Sequence, residues 1–207
     1  GFSVLYKEKL LYSKYNPSRA ILSKIENLSL LPGTLILCFS PVLEYGLKEL
    51  ANKLPENCFI LGIELEEALL EFIENNSRNY KDISKFSMLT ISEAYDLPSL
   101  LTKKDIKLKS GTILPRAGTF KRTVFIDFSA GVSFHSDLYQ KLYTYCVNSI
   151  MTFGKNRITL TKFGRKYSHN FFSNLKNIDK TTPIQNFYES VNKPIVIFGS
   201  GESIDKG

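Results

Sequence analysis

The sequence predicts an α/β fold: a mainly parallel sheet flanked by helices, entered through an N-terminal β-hairpin and left through a helical segment leading into a truncated second domain. Three observations predict it. The apolar runs "TLILCFS" (34–40) and "CFILGIE" (58–64) do not alternate with polar residues, as strands buried on both faces require. Between and after them, apolar residues recur three or four apart, the spacing of a helix face. Of the 207 residues, 43% are hydrophobic, enough to fill a core between such layers.

"SVLYKEKLLYS" (3–13) sets two β-prone runs around a Lys-Glu-Lys turn and reads as the hairpin. In "NPSRAILSKIENL" (16–28), Asn16 is a good N-cap and Pro17 suits the first helical position. Ile21, Leu22, Ile25 and Leu28 then share one face. After the first buried strand, "PVLEYGLKELANKLP" (41–55) spaces Leu43, Leu47, Leu50 and Leu54 as a helix on the sheet. The second strand leads into "LEEALLEFIENN" (65–76), helical through Leu65, Leu69, Phe72 and Ile73. This β-α-β order implies parallel strands and a right-handed crossover. "KFSMLT" (85–90) and "RTVFIDF" (122–128) supply further strands.

Residues 133–154 read as a long helix. A second one is expected at 155–178, beyond Gly154, with Ile158, Phe163, Tyr167, Phe171 and Leu175 as its apolar set. A short helix capped by Thr182 and a strand in "PIVIFGS" (194–200) close the chain. The expected organisation is a Rossmann-like domain at 1–154, a helical connector at 155–192, and the first strand and glycine-rich loop of a truncated catalytic domain at 193–207.

The net charge of +7 suits an anionic partner, but the lysines are scattered. The densest runs, 103–109 and 162–166, are interrupted by apolar or acidic residues, so no nucleic-acid-binding arm is expected. Cys38, Cys58 and Cys146 form no C-x-x-C pair, which points to buried thiols in a reducing cytoplasmic setting. His135 and His169 are the only histidines and have no Cys or acid at ligand spacing, so no metal site is expected. No run of about 18 apolar residues offers a membrane span.

Three places invite a chemical reading. Segment 34–67 has the layout of a nucleotide- or methyl-donor-binding unit, with Glu64 where an acid often holds ribose hydroxyls. Its first loop keeps a single glycine, Gly46, and Pro41 removes a donor, so a scaffold without cofactor is the favoured reading. The closing "IVIFGSGES" (195–203) sets Gly199 and Gly201 in a turn that would aim N–H groups at an anion. Asn170 and Asn174 lie four apart on one helical face, where asparagine is mildly unfavourable, so a bound ligand or neighbouring domain is one reason for them and a solvated face the other.

Three stretches, "LYSKYNPSRAI" (11–21), the unit "LILCFSPVLEYGLKEL…FILGIELEEALLEF", and "FGRKYSHNFFSNL" (163–175) followed by "KPIVIFGSGESID" (193–205), together resemble the front half of the Maf family. These are motility-associated factors of flagellated bacteria, related to MptE-like 6-hydroxymethylpterin pyrophosphokinases. The resemblance implies an N-terminal α/β domain ahead of a catalytic domain that transfers a CMP-linked nonulosonic sugar to Ser or Thr of flagellin. It matches Gly199, Ser200, Gly201 and Ser203 to the nucleotide loop, and Asn170 and Asn174 to the preceding helix. Glu202 stands where that family usually has proline. The resemblance also implies that this chain binds no cofactor itself and that its partners are the remaining catalytic domain and flagellin. Alternatives are a pterin pyrophosphokinase using ATP and Mg, a methyltransferase built on 34–67, and a non-enzymatic partner-binding domain.

Overall fold

The computed structural model describes residues 1–76, 80, 83, 85–103, 106–180 and 186. A short antiparallel pair, β1 (Leu5–Tyr6) and β2 (Lys9–Leu10), opens the chain. Four parallel strands form the central sheet: β3 (Thr34–Phe39), β4 (Phe59–Ile63), β5 (Phe86–Leu89) and β8 (Arg122–Asp127), in the order β5-β4-β3-β8. A second antiparallel pair, β6 (Ile106–Lys107) with β7 (Ile113–Leu114), lies between β5 and β8 in the chain.

The helices are α1 (Arg19–Asn27), α2 (Leu47–Asn52), α3 (Glu67–Asn76), α4 (Ile91–Thr102) and α5 (Ser136–Leu175). Because side chains alternate along a strand, β3 divides its residues between two cores. Leu35, Leu37 and Phe39 pack with Ala94, Leu97 and Leu101 of α4 and with Tyr139, Leu142, Cys146 and Ile150 of α5. Ile36 and Cys38 pack with α1, α2 and α3 through Ile21, Ile25, Leu47, Leu50, Leu69 and Ile73. All six residues of β3 are buried, which is why its sequence shows no polar alternation. Each large aliphatic side chain removed from water here contributes about 1.5–3 kcal/mol.

Several boundaries differ from the expected ones. The helix expected over 41–55 narrows to Leu47–Asn52, because Gly46 turns the backbone left-handed at φ +79° immediately before it. α5 runs unbroken through Gly154, where two helices were expected. A glycine costs a helix only about 1 kcal/mol relative to alanine, and packing of Tyr139, Leu142, Cys146 and Ile150 anchors the preceding turns. α4 was not anticipated. It starts in a capping box in which Thr90 Oγ1 accepts from the Glu93 N–H at 3.3 Å and the Thr90 N–H donates to Glu93 Oε2 at 3.0 Å. Thr90→Ala is expected to lower stability by about 1 kcal/mol, read from the urea midpoint at unchanged slope.

Asn16 caps α1 as its residue type suggests. Its Oδ1 accepts from the Arg19 N–H at 3.1 Å, although the helix proper begins at Arg19. The chain divides into two compact units, Gly1–Thr159 and Leu160–Gly207. The helix expected at 181–191, apart from Asn186, and the strand and loop expected at 193–207 lie outside the described residues. No helix among the described residues is long and apolar enough to cross a membrane.

Candidate functional site

The order β5-β4-β3-β8 reverses direction between β3 and β8. In open parallel sheets, the crevice beyond the carboxyl ends of two such strands is the usual ligand position. Here β3, β4 and β8 deliver Ser40, Glu64 and Ser129 to that edge, each just past its strand's end. Ser40 has φ +50°, a left-handed conformation that a serine holds only when its surroundings enforce it. The Ser40 N–H extends the ladder to Ile63 O at 2.8 Å.

A closed hydrogen-bond cluster follows. Ser40 Oγ donates to Glu64 Oε2 at 2.6 Å. Its single proton is then used, so Ser129 Oγ, 2.8 Å away, donates to Ser40 Oγ. Ser129 Oγ accepts from the Gly131 N–H at 3.1 Å. The other Glu64 oxygen, Oε1, accepts from the Glu66 N–H at 2.9 Å and from the Tyr139 hydroxyl at 3.3 Å. Tyr139 in turn accepts from the Leu65 N–H at 3.2 Å. Gly131 completes the fit, since a Cβ there would lie 2.3 Å from Ser40 Oγ.

Glu64 is 1% exposed. Burial pushes its carboxyl pKa above the usual value, and the hydrogen bonds from Ser40, Glu66 and Tyr139 pull part of the way back. Burial likewise pushes the hydroxyl pKa values of Tyr12 and Tyr139 upward, and that of the Cys146 thiol to about 12. These groups hold protons in place at neutral pH. All three cysteines are free and buried. Among the described residues no group of three or more His, Cys, Asp or Glu is placed to hold a metal ion.

The chain's own N-terminal segment covers this edge. Leu11 and Tyr12 are buried, the Ala130 N–H donates to Leu11 O at 2.9 Å, and the Tyr12 hydroxyl accepts from the Leu43 N–H at 2.9 Å. The hairpin is tied to the start of α3 through Glu66, which accepts from the Tyr6 hydroxyl at 2.9 Å and from Lys7 Nζ at 3.0 Å. His135 Nε2 lies 3.2 Å from the same carboxylate. Burial alone would raise the Glu66 carboxyl pKa, but the bonds from Lys7 and Tyr6 and the lysine's charge outweigh it, and the net shift is downward. Beside the segment remains a cleft of about 670 Å³, lined in part by Lys9, Lys14, Lys24, Asp127 and Ser133.

The residues singled out in the sequence are distributed as follows. Glu64 sits in the buried cluster. Gly46 lines a different cleft and faces α1, where a Cβ would lie 2.6 Å from Ile25 Cδ1 and 2.7 Å from Ile21 Cγ2. Asn170 and Asn174 are exposed, one turn apart on α5. Gly199, Ser200, Gly201 and Ser203 lie outside the described residues. Sequence reasoning missed Ser40, Ser129, Tyr139 and the tether at Glu66. Two signals were present: a Phe-Ser pair stands at the carboxyl end of each strand flanking the switch, Phe39-Ser40 across the end of β3 and Phe128-Ser129 just past β8, and acids cluster in "IELEE" (63–67).

No family model matches the chain. No solved structure matches it. It is similar to an uncharacterized protein of Treponema pallidum (strain Nichols), 30% identical over 209 residues that cover 99% of this chain and 34% of the relative. The chain thus spans about a third of the length of the curated relative it matches.

Proposed function

We propose that this chain is the accessory α/β domain of a cytoplasmic glycosyltransferase that moves a CMP-linked nonulosonic sugar onto Ser or Thr of flagellin, and that its sheet acts as a scaffold or partner-docking unit. The observation that carries the scaffold reading is the closed carboxyl edge. The acid best placed to hold a ribose, Glu64, has both oxygens engaged by Ser40, Tyr139 and the Glu66 N–H. The crevice between β3 and β8 is packed with Leu11 and Tyr12 of the same chain. A cofactor would have to displace both.

The glycosyltransferase reading rests on the motif order in the sequence, with Asn170, Asn174, Gly199, Ser200, Gly201 and Ser203 as the candidate donor-sugar residues. In that reaction the acceptor hydroxyl oxygen bonds to the sugar's anomeric carbon, the anomeric carbon's bond to the phosphate oxygen breaks, CMP leaves with that oxygen, and the hydroxyl proton passes to a base or to solvent. Calorimetry with CMP is expected to show no binding to residues 1–207 and binding to the full-length protein. Tight CMP binding by 1–207 alone would overturn the scaffold reading. Pterin turnover with Mg-ATP by the full-length protein, without loss of flagellin mass on gene disruption, would overturn the sugar-transfer reading.

A further inference from the structure

We propose that the face of α5 carrying Leu160, Phe163, Tyr167, Phe171 and Leu175 docks on an anionic lipid surface. The segment belongs to the second compact unit, Leu160–Gly207. At 3.6 residues per turn, these five side chains fall within an arc of about 120° and extend for about 22 Å along the axis. They are exposed by 64%, 39%, 52%, 60% and 41% respectively; other large apolar side chains such as Tyr15, Ile113 and Phe172 are exposed too, and what sets these five apart is that they share one helical arc. Exposed apolar surface gathered in one stripe marks an interaction face, whereas scattered apolar residues do not.

The opposite face is basic. Lys162, Arg165, Lys166 and Lys176, with His169 among them, centre almost opposite the apolar arc, and no Asp or Glu occurs from 160 to 178. Phe163 and Tyr167 have ring centroids 6.1 Å apart, and Lys162 Nζ lies 5.4 Å from the Phe163 ring, so one cation already rests beside the apolar stripe. An aromatic-aliphatic face backed by lysine and arginine is the composition of a helix lying in the plane of a bilayer surface. The long basic side chains reach anionic headgroups within a Debye length of about 8–10 Å. A second copy of this helix is the weaker occupant, because residues 160–178 carry no acid that could pair with a copy's lysines and arginine, whereas anionic headgroups can. Asn174 interrupts the stripe and Asn170 borders it, so the helix is too polar to enter the hydrocarbon core and is suited to lying on it; while this face is docked on lipid, Asn174 cannot also serve as a donor-sugar residue.

The test is co-sedimentation of residues 1–207 with vesicles of phosphatidylcholine containing phosphatidylglycerol, against vesicles of phosphatidylcholine alone. Binding is expected only to the anionic vesicles and is expected to weaken as salt is added. The double variant Phe163→Ser with Phe171→Ser should bind at least about tenfold more weakly. Lys162→Gln and Lys166→Gln should each cost about fivefold. All four positions are exposed, so the melting temperature should not change. The proposal fails if the anionic vesicles do not sediment the chain. It fails equally if the Phe variant binds unchanged, or if hydrogen exchange finds the stripe already protected without lipid, which would mean that polypeptide covers it.

Discussion

Glu64→Ala is expected to lower the stability of the first unit by about 2–4 kcal/mol, the cost of leaving buried donors without an acceptor. The Ser40 hydroxyl, the Glu66 N–H and the Tyr139 hydroxyl all aim at this carboxylate. Glu64→Gln keeps the shape and most acceptor positions, and behaves differently with pH. The native carboxyl has a pKa raised from 4.5, so the folded state holds its proton more tightly than the unfolded chain. The resulting stabilisation is complete below the unfolded value and is lost as pH rises through the folded one. The advantage of glutamine over glutamate should therefore grow as pH rises from about 4.5 and level off above the native pKa. Glu66, whose pKa is lowered, acts in the other direction, losing its contribution as pH falls, and is present in both proteins. Urea melts of the two across this range would test the prediction. Parallel stability curves would show that Glu64 has no raised pKa.

The second large effect is expected at Gly46, where alanine should cost about 2–5 kcal/mol. Two independent terms add. The backbone sits at φ +79°, a region that charges an L-residue about 1–2 kcal/mol. The new methyl would also overlap Ile25 Cδ1 at 2.6 Å and Ile21 Cγ2 at 2.7 Å, overpacking the α1–α2 contact by about 1–3 kcal/mol. Ile25→Val deletes that Cδ1. Combined with Gly46→Ala it should recover part of the overpacking and none of the backbone cost, so the double variant should be more stable than the sum of the singles. Strict additivity would mean that the isoleucine contact is not what requires glycine. The glycine that sequence reading placed in a cofactor loop thus has a packing reason of its own, the close approach of two helices.

Legibility in the sequence followed how local each signal was. The runs around Leu37 and Leu61 announced strands because burial on both faces removes polar residues entirely. The hairpin was readable because its turn is flanked by apolar pairs. α4 was missed although "TISE" (90–93) carries a capping-box signature; the helix it opens also contains Pro98, a residue unfavourable in a helix interior. The break expected at Gly154 did not occur, since a modest local penalty was outweighed by continuous packing upstream. At the edge of the sheet, Glu64 could be placed at a strand end. Its partners come from Ser40, Ser129 and Tyr139, far apart in the chain and without periodic spacing.

The sequence by itself determined the class of fold, the parallel direction of the central strands and the helices that cover them, because those depend on residue periodicities of two and three to four. Only the tertiary structure decided that β8 pairs with β3 rather than extending beyond β5, and so where the sheet reverses. It also decided that the reversal is covered by Leu11 and Tyr12 and that the carboxylate beneath is hydrogen-bonded from within. Those outcomes depend on which distant segments exclude water together, a property of the assembled layers that no local window of residues contains.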